Sequence, residues 1–191
     1  MKNINTCKKS KTGKRFIFVV LAFAFLFLCF VIYNSFSIFV IMSNSMLPTL
    51  KSKSSVFESD WIIVENLSVL FTSPERGEII VFEKNNEQQE QIQIIKRIAG
   101  LGGEEIEIET GILLVNGEQT SEISKTIQKK YENGGVFQQN CKLKIKPHSY
   151  MVLGDNSHYS EDSRYYGSIN EDSIQGVAIG VIWPPWRIGK L

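Results

Sequence analysis

"QIQIIKRIAG", residues 91 to 100, alternates apolar and polar side chains over most of its length. An extended chain turns successive side chains to opposite faces. Ile92, Ile94, Lys96 and Ile98 therefore share one face, and Gln91, Gln93, Ile95 and Arg97 the other. The segment reads as a strand, and it sets a lysine in a row of isoleucines. Burial there penalises the ammonium form, lowers the Lys96 pKa and can leave a neutral base. A lysine whose head snorkels past its neighbours to water fits the same pattern. Bringing such a pKa from about 10.4 to about 7.4 costs roughly 4 kcal/mol, which a stable β domain tolerates.

Comparable runs lie on both sides. Upstream are "NSFSIFVIM" (34 to 42), "WIIVE" (61 to 65) and "GEIIVFE" (77 to 83). Downstream are "EEIEIE" (104 to 109), "ILLVNGEQT" (112 to 120), "KLKIK" (142 to 146), "SYMVLG" (149 to 154) and "SIQGVAIGVIW" (173 to 183). Their β-branched and aromatic content predicts strands. Asn116-Gly117 is the dipeptide a two-residue hairpin turn prefers, and Pro184-Pro185 ends the last ladder. "EKNNEQQEQ" (83 to 91) reads as a turn at its start and 121 to 140 as an irregular surface excursion. No repeat of domain scale is present. The expected fold class is mainly β, an antiparallel sheet.

One stretch departs from this pattern. "FIFVVLAFAFLFLCFVIY", Phe16 to Tyr33, has 18 residues without a charge, roughly 27 Å as a helix at about 1.5 Å per residue, enough to cross a bilayer. Residues 1 to 15 carry six basic side chains and no acid. Subtracting them from the overall charge of +1 leaves −5 for the rest, which argues against a nucleic-acid binder. The basic flank predicts a cytoplasmic tail over 1–15, a membrane anchor over 16–35 and an extracytoplasmic β domain over 36–191. A cleaved leader ending near Ser35-Phe36-Ser37 is the rival reading, but leader cores usually span about 7 to 15 residues. A buried core helix is the third. Cys7, Cys29 and Cys141 fall before, inside and after the anchor, so neither a disulfide nor a zinc site is expected.

Beyond the anchor comes "SNSMLPTL", 43 to 50. In an extended segment Ser43 and Ser45 project the same way, and Pro48 forces a turn that leaves Ser45 at an accessible corner. A serine-rich loop is the plainer interpretation. "GDNSHYSEDSRYYGSI", 154 to 169, is dense in residues that bond back to the backbone and rigidify a loop. It can deliver a further hydroxyl or serve as an ordered surface turn, and it lacks the order of a calcium loop. His158 with Asp155 or Asp162 suggests a triad, although base and orienter stand too close in sequence for the usual relay. His148 reads as a solvated turn residue, and "GLGG" (100 to 103) lacks the lysine of a phosphate loop.

In this order the anchor, "SNSMLPTL", "SDWIIVENL", "IKRIAGLGGEE" and "MVLGDNSHYSEDSRYYGSI" resemble the type I signal peptidases, most closely their compact Gram-positive type. The resemblance runs from about residue 16 onward. It implies that Ser45 is the nucleophile and Lys96 the general base, with no metal and no cofactor. It places Ser43, with the Ser45 amide, at the oxyanion hole, and makes Ser160 the serine that orients the lysine. Asp162 and Arg164 form a supporting ion pair, Asp155 supports the site with them, and Met46 closes its floor. The partners implied are secretory preproteins and the lipid bilayer, with no nucleic acid. The implied activity is removal of signal peptides after small-x-small sites at the outer membrane face, through an acyl-enzyme. Substrate is expected to lie extended along the strand before Ser45 and the strand near 79 to 84, in pockets lined by residues such as Ile41. Two departures stand out: "LGGE" replaces the family's usual "LPGD", and Ser157 replaces the arginine that commonly follows "GDN". A self-cleaving serine-lysine protein and a tethered, non-catalytic β module are the competing interpretations. Trp61 is expected in the core, while Trp183 and Trp186 are either core or interfacial.

Overall fold

The computed structural model describes residues 11–86, 88–120, 131 and 142–191, and the chain divides after Ser35 into two units. The first is helix α1, Lys11–Ser35. Its Arg15–Ser35 stretch is, by length and composition, able to cross a membrane, and its large apolar side chains are exposed all round. The helix takes in Asn34 and Ser35, where the sequence suggested a strand. Their side chains donate to the carbonyls of Phe30 and Val31, each at 2.7 Å, the local back-bonding that Asn and Ser offer a helix terminus. Cys29 is a free thiol; Cys7 and Cys141 lie outside the described residues.

The second unit is antiparallel throughout the described residues. Its strands are β1 (Phe36–Val40), β2 (Trp61–Glu65), β3 (Ile79–Asn85), β4 (Gln91–Gly100), β5 (Glu105–Glu109), β6 (Ile112–Val115), β7 (Glu118–Gln119), β8 (Lys142–Lys144), β9 (Ser149–Leu153), β10 (Ile169–Asn170), β11 (Ile174–Trp183) and β12 (Gly189–Lys190). The larger sheet has the order β1-β2-β11-β3-β4-β9-β10 with β12 on β11, and the smaller the order β7-β6-β5-β8. A short helix α2, Ser163–Tyr166, follows β9.

Alternation explains the layering. On β3, Ile79 and Val81 face a cluster with Ile41, Met46, Leu50 and Ile62, while Ile80 and Phe82 face another with Ile98, Val152 and Ile174. On β9, Tyr150 and Val152 join the second cluster, and Met151 and Leu153 turn toward Ile106, Val115 and Ile145 of the smaller sheet. Strands sandwiched on both faces read as continuous apolar runs, as "IIVF" and "YMVL" do.

Several sequence expectations hold in detail. Asn116 and Gly117 have φ of 53° and 84° in the turn that sets Val115 opposite Glu118, the positive values a two-residue hairpin requires. β11 stops at Trp183, before the prolines. Others are corrected. Trp61 is only half-buried, with its indole N–H donating to the Val56 carbonyl at 2.9 Å, because a strand-end indole must satisfy its donor. Trp183 and Trp186, which the sequence left as either core or interfacial, are exposed and so lie outside the core. The excursion at 121 to 140 lies outside the described residues except for Tyr131, whose side chain is buried in the smaller sheet's cluster. At "LGGE", Glu104 accepts from the Leu101 amide at 2.7 Å and pairs with Arg76. The glutamate thereby closes the turn after β4.

Among the described residues, the register leaves part of one edge of β4 and one edge of β1 without a strand partner. β4 pairs with β3 from Gln91 to Arg97 but meets β9 only from Arg97 onward, so the far edge of its first half is unpaired. β1 pairs with β2 alone.

Candidate active site

After β1 the chain leaves the ladder, so Ser43 and Ser45 stand on a turn and not on a strand as the sequence suggested. They nonetheless meet, with hydroxyl oxygens 3.1 Å apart. The turn closes through Leu47 N–H to the Asn44 carbonyl at 3.3 Å and Leu50 N–H to the Met46 carbonyl at 2.9 Å. Met46 and Leu50 fix it by burying their side chains. Ser45 is itself buried, at 6% exposure, where an accessible corner was expected; Ser43 is exposed.

β4 supplies the amine. Lys96 lies opposite Ile80, on the isoleucine face as the alternation required, and is 4% exposed. Its Nζ sits 2.9 Å from Ser45 Oγ. Burial lowers its pKa from 10.5 to about 8, against the opposing pull of Asp162, Glu161 and Asp155. About a tenth of the amine is thus neutral at pH 7, with its lone pair available to the serine proton.

The loop after β9 clamps these parts together. Asn156 donates from its amide N–H to the Ser45 carbonyl at 2.9 Å and from its side chain to the Asn44 carbonyl at 3.0 Å. Asp155 accepts two hydrogen bonds from Arg97, at 2.9 and 2.7 Å, and one from the Thr49 hydroxyl at 2.5 Å. The residue next to Lys96 is thereby tied through one carboxylate to the serine turn. Asp162 bonds Arg164 at 2.8 Å and accepts from the Gly154 amide at 3.0 Å, the expected pair. Gly154 permits a close approach: a Cβ there would stand 2.1 Å from Ser160 Oγ and 2.6 Å from the Ser45 carbonyl oxygen.

Ser160 departs from expectation. Among the described residues its buried hydroxyl has no hydrogen-bond partner, Lys96 included, and the side chain lies against Gly154. His158 is exposed, while Asp155 and Asp162 are committed to arginines. Arg97, Thr49, Asn156 and Glu161 were not singled out from the sequence. Only Arg97 left a signal there: an arginine within an apolar strand demands a buried carboxylate.

A cleft of about 620 Å³ opens at the pair. Phe39 to Ser43, Ser45 and Met46 form one side, the open edge Ile92 to Lys96 another, and Lys84, Tyr159, Glu161 and Tyr166 complete the rim. β3 is paired on both sides at Ile80 to Phe82, so that part of the strand near 79 to 84 has no free edge for an added peptide.

The family model "Signal peptidase, peptidase S26" matches residues 12–183. "Probable signal peptidase I-2" of Synechocystis is 36% identical over 79% of this chain and 65% of its own length. "Signal peptidase IB" of Staphylococcus aureus is 31% identical over 76% of this chain and 77% of its own length. A crystal structure of a signal peptidase I from Enterococcus faecalis aligns with a TM-score of 0.43 and 30% identity, covering 56% of this chain and 97% of that one. The chain thus spans just under two thirds of the Synechocystis relative and about three quarters of the staphylococcal one. With ordered serine and lysine segments meeting at one cleft and the family model covering nearly all of the sequence, the chain belongs to the signal peptidase family, peptidase S26.

Proposed function

We propose that this chain is a membrane-anchored serine endopeptidase that removes signal peptides from exported preproteins, with Ser45 as nucleophile and Lys96 as general base. The observation that carries this reading is the 2.9 Å contact between two buried groups, Lys96 Nζ and Ser45 Oγ. When the amine is neutral, Ser45 donates its proton to Nζ as Oγ attacks the scissile carbonyl carbon. The oxyanion forms beside the Ser45 amide and the Ser43 hydroxyl, which stands 3.1 Å from Oγ. Collapse breaks the C–N bond, Lys96 returns the proton to the departing amine, and water then resolves the acyl-enzyme with Lys96 again as base. Asp155, Asp162, Arg164 and Met46 support these groups.

The open edges suit a bound peptide. Antiparallel pairing at each step of β1-β2-β11-β3-β4 makes β4 run the same way as β1. Phe36 follows Ser35 directly, so β1 starts where the span ends and leads to Ser45. A signal peptide also passes from the membrane to the cut, and so lies parallel to both edges, adding its backbone between them. Ile41, Met46, Phe39 and Ile95 give an apolar wall suited to alanine-sized side chains. The tail over 1–15 lies in the cytoplasm and residues 36–191 outside, as the basic flank directs.

The test uses the full-length protein in vesicles with a supplied preprotein. Wild type should cut after a small-x-small site and take an acylating serine probe, whereas Ser45→Ala and Lys96→Ala should do neither. Processing that survives Ser45→Ala would refute the reading. Cutting of the chain itself but never of the preprotein would replace it by self-cleavage.

A further inference from the structure

We infer that Lys84 is a specificity-determining residue that recognises a carboxylate side chain on the fourth residue before the cut. The inference deepens the protease reading proposed above and rests on it.

Alternation carries it. A peptide lying between β1 and β4 with its first and third side chains before the cut against Ile41, Met46 and Ile95 must turn its second and fourth to the opposite face. That face of β4 carries Ile92, Ile94 and Lys96, and their partners on β3 are Lys84, Phe82 and Ile80. Lys84 thus shares a face with the base and stands at the level of Ile92. Because Lys96 Nζ touches Ser45 Oγ, the bond to be cut lies near the level of Lys96. A peptide parallel to β4 then brings its fourth residue before the cut close to the level of Ile92. Peptide and β3 flank β4 on either side, about 10 Å apart at about 4.8 Å per strand spacing, a gap that a lysine and a glutamate side chain close from its two ends.

The ammonium is held for such a partner. Lys84 Nζ lies 4.2 Å from the centre of the Tyr166 ring, which packs with Ile94 beside Ile80 and Phe82, and 4.0 Å from Glu161 Oε1. Lys84, Tyr166 and Glu161 line the same cleft as Ser45 and Lys96. At 4.0 Å the Glu161 contact is an ion pair without a hydrogen bond, so N–H donors remain for a ligand. The Glu161 side chain is 76% exposed and that of Lys84 only 32%. Water screens the Glu161 pair, whereas a carboxylate delivered into the cleft gains a charge-assisted hydrogen bond to a partly desolvated cation. The other face of β4 offers no such group. Gln93, on the Ile95 face, donates to Gln175 Oε1 at 2.9 Å, and Gln175 donates to the Glu83 carboxylate. A carboxylate only accepts, which fixes the order of this chain. A fifth side chain before the cut therefore meets two amides and an acid.

The test measures kcat/KM of the full-length protein, in uncharged detergent micelles, on short peptides that differ only at the fourth or the fifth residue before the cut. Glutamine at the varied position is the neutral reference of equal shape. Glutamate at the fourth residue should raise kcat/KM about fivefold, chiefly through KM, and lysine there should lower it. Added salt should shrink the gain. The gain should vanish in Lys84→Met and grow in Glu161→Gln, which removes the competing carboxylate. Each gain is a ratio of two peptides on one enzyme, so any change in the base cancels. A glutamate gain that is absent from the wild type, that survives Lys84→Met, or that is as large at the fifth residue overturns the inference, while the cutting itself upholds the protease reading. Failure to cut any of the peptides, with Ser45→Ala no different from wild type, overturns both.

Discussion

Replacing Lys96 by methionine should abolish processing and yet stabilise the fold, by an amount that depends on pH. The folded β unit holds this amine at about 8 where the free group titrates at 10.5, so in that interval the unfolded chain binds more protons. Below pH 8 the folded state carries the full penalty of a buried ammonium, about 3 kcal/mol at ~1.36 kcal/mol per decade. As pH rises through the unfolded value the penalty vanishes. At pH 9.5 about 1.4 kcal/mol of it remains. The stability of Lys96→Met relative to wild type should therefore fall by about 2 kcal/mol between pH 7 and pH 9.5. Methionine fills a similar volume without a charge, so packing contributes a nearly constant offset. Urea unfolding of the full-length chain in detergent, followed by tryptophan fluorescence at both pH values, measures the difference. A stability gap that stays constant with pH, or widens toward alkaline pH, would refute the claim that Lys96 is held partly neutral by burial.

The other predictions concern the surrounding groups. With a base titrating near 8, kcat/KM on a short peptide should rise about tenfold from pH 7 to pH 9. Because Glu161 raises the Lys96 pKa, Glu161→Gln should move the profile to lower pH; an unmoved midpoint would show that the pH dependence belongs to another group. Asp155→Ala leaves Arg97 buried without its carboxylate and should cost about 3–5 kcal/mol in urea unfolding, together with most of the activity. Gly154→Ala should impair the site, since the new methyl group would strike Ser160 and the Ser45 carbonyl; wild-type kcat/KM in that variant would show that the loop yields freely. His158→Ala should spare processing, and equal loss from it and Lys96→Ala would restore a histidine base.

Period-two patterns were enough to place nearly every strand, because side chains buried on one face must alternate and those buried on both must run continuously. The same rule put Lys96 among isoleucines, where the β3–β4 register keeps it. The chemistry of individual residues likewise made Asn116-Gly117 a turn and the stretch from Phe16 to Tyr33 a helix fit for a bilayer. These are local properties, written within a few residues of where they act.

The meeting of Ser45 and Lys96 is of another kind. They are 51 residues apart, and a turn after β1, not the extended segment that the Ser43–Ser45 spacing suggested, brings Ser45 to 2.9 Å from the amine. Asp155, from a third region, joins Arg97 to Thr49, and no pattern within any one segment encodes that link. The same holds for the free edge of β4, which exists because β9 pairs only from Arg97 onward, and for the unbonded Ser160 hydroxyl. The sequence alone determined which side chains are apolar, how they alternate and which could do chemistry. Only the tertiary structure decided which of them meet, since distance in space depends on pairing between remote strands and on how fully the packed core excludes water from a buried amine.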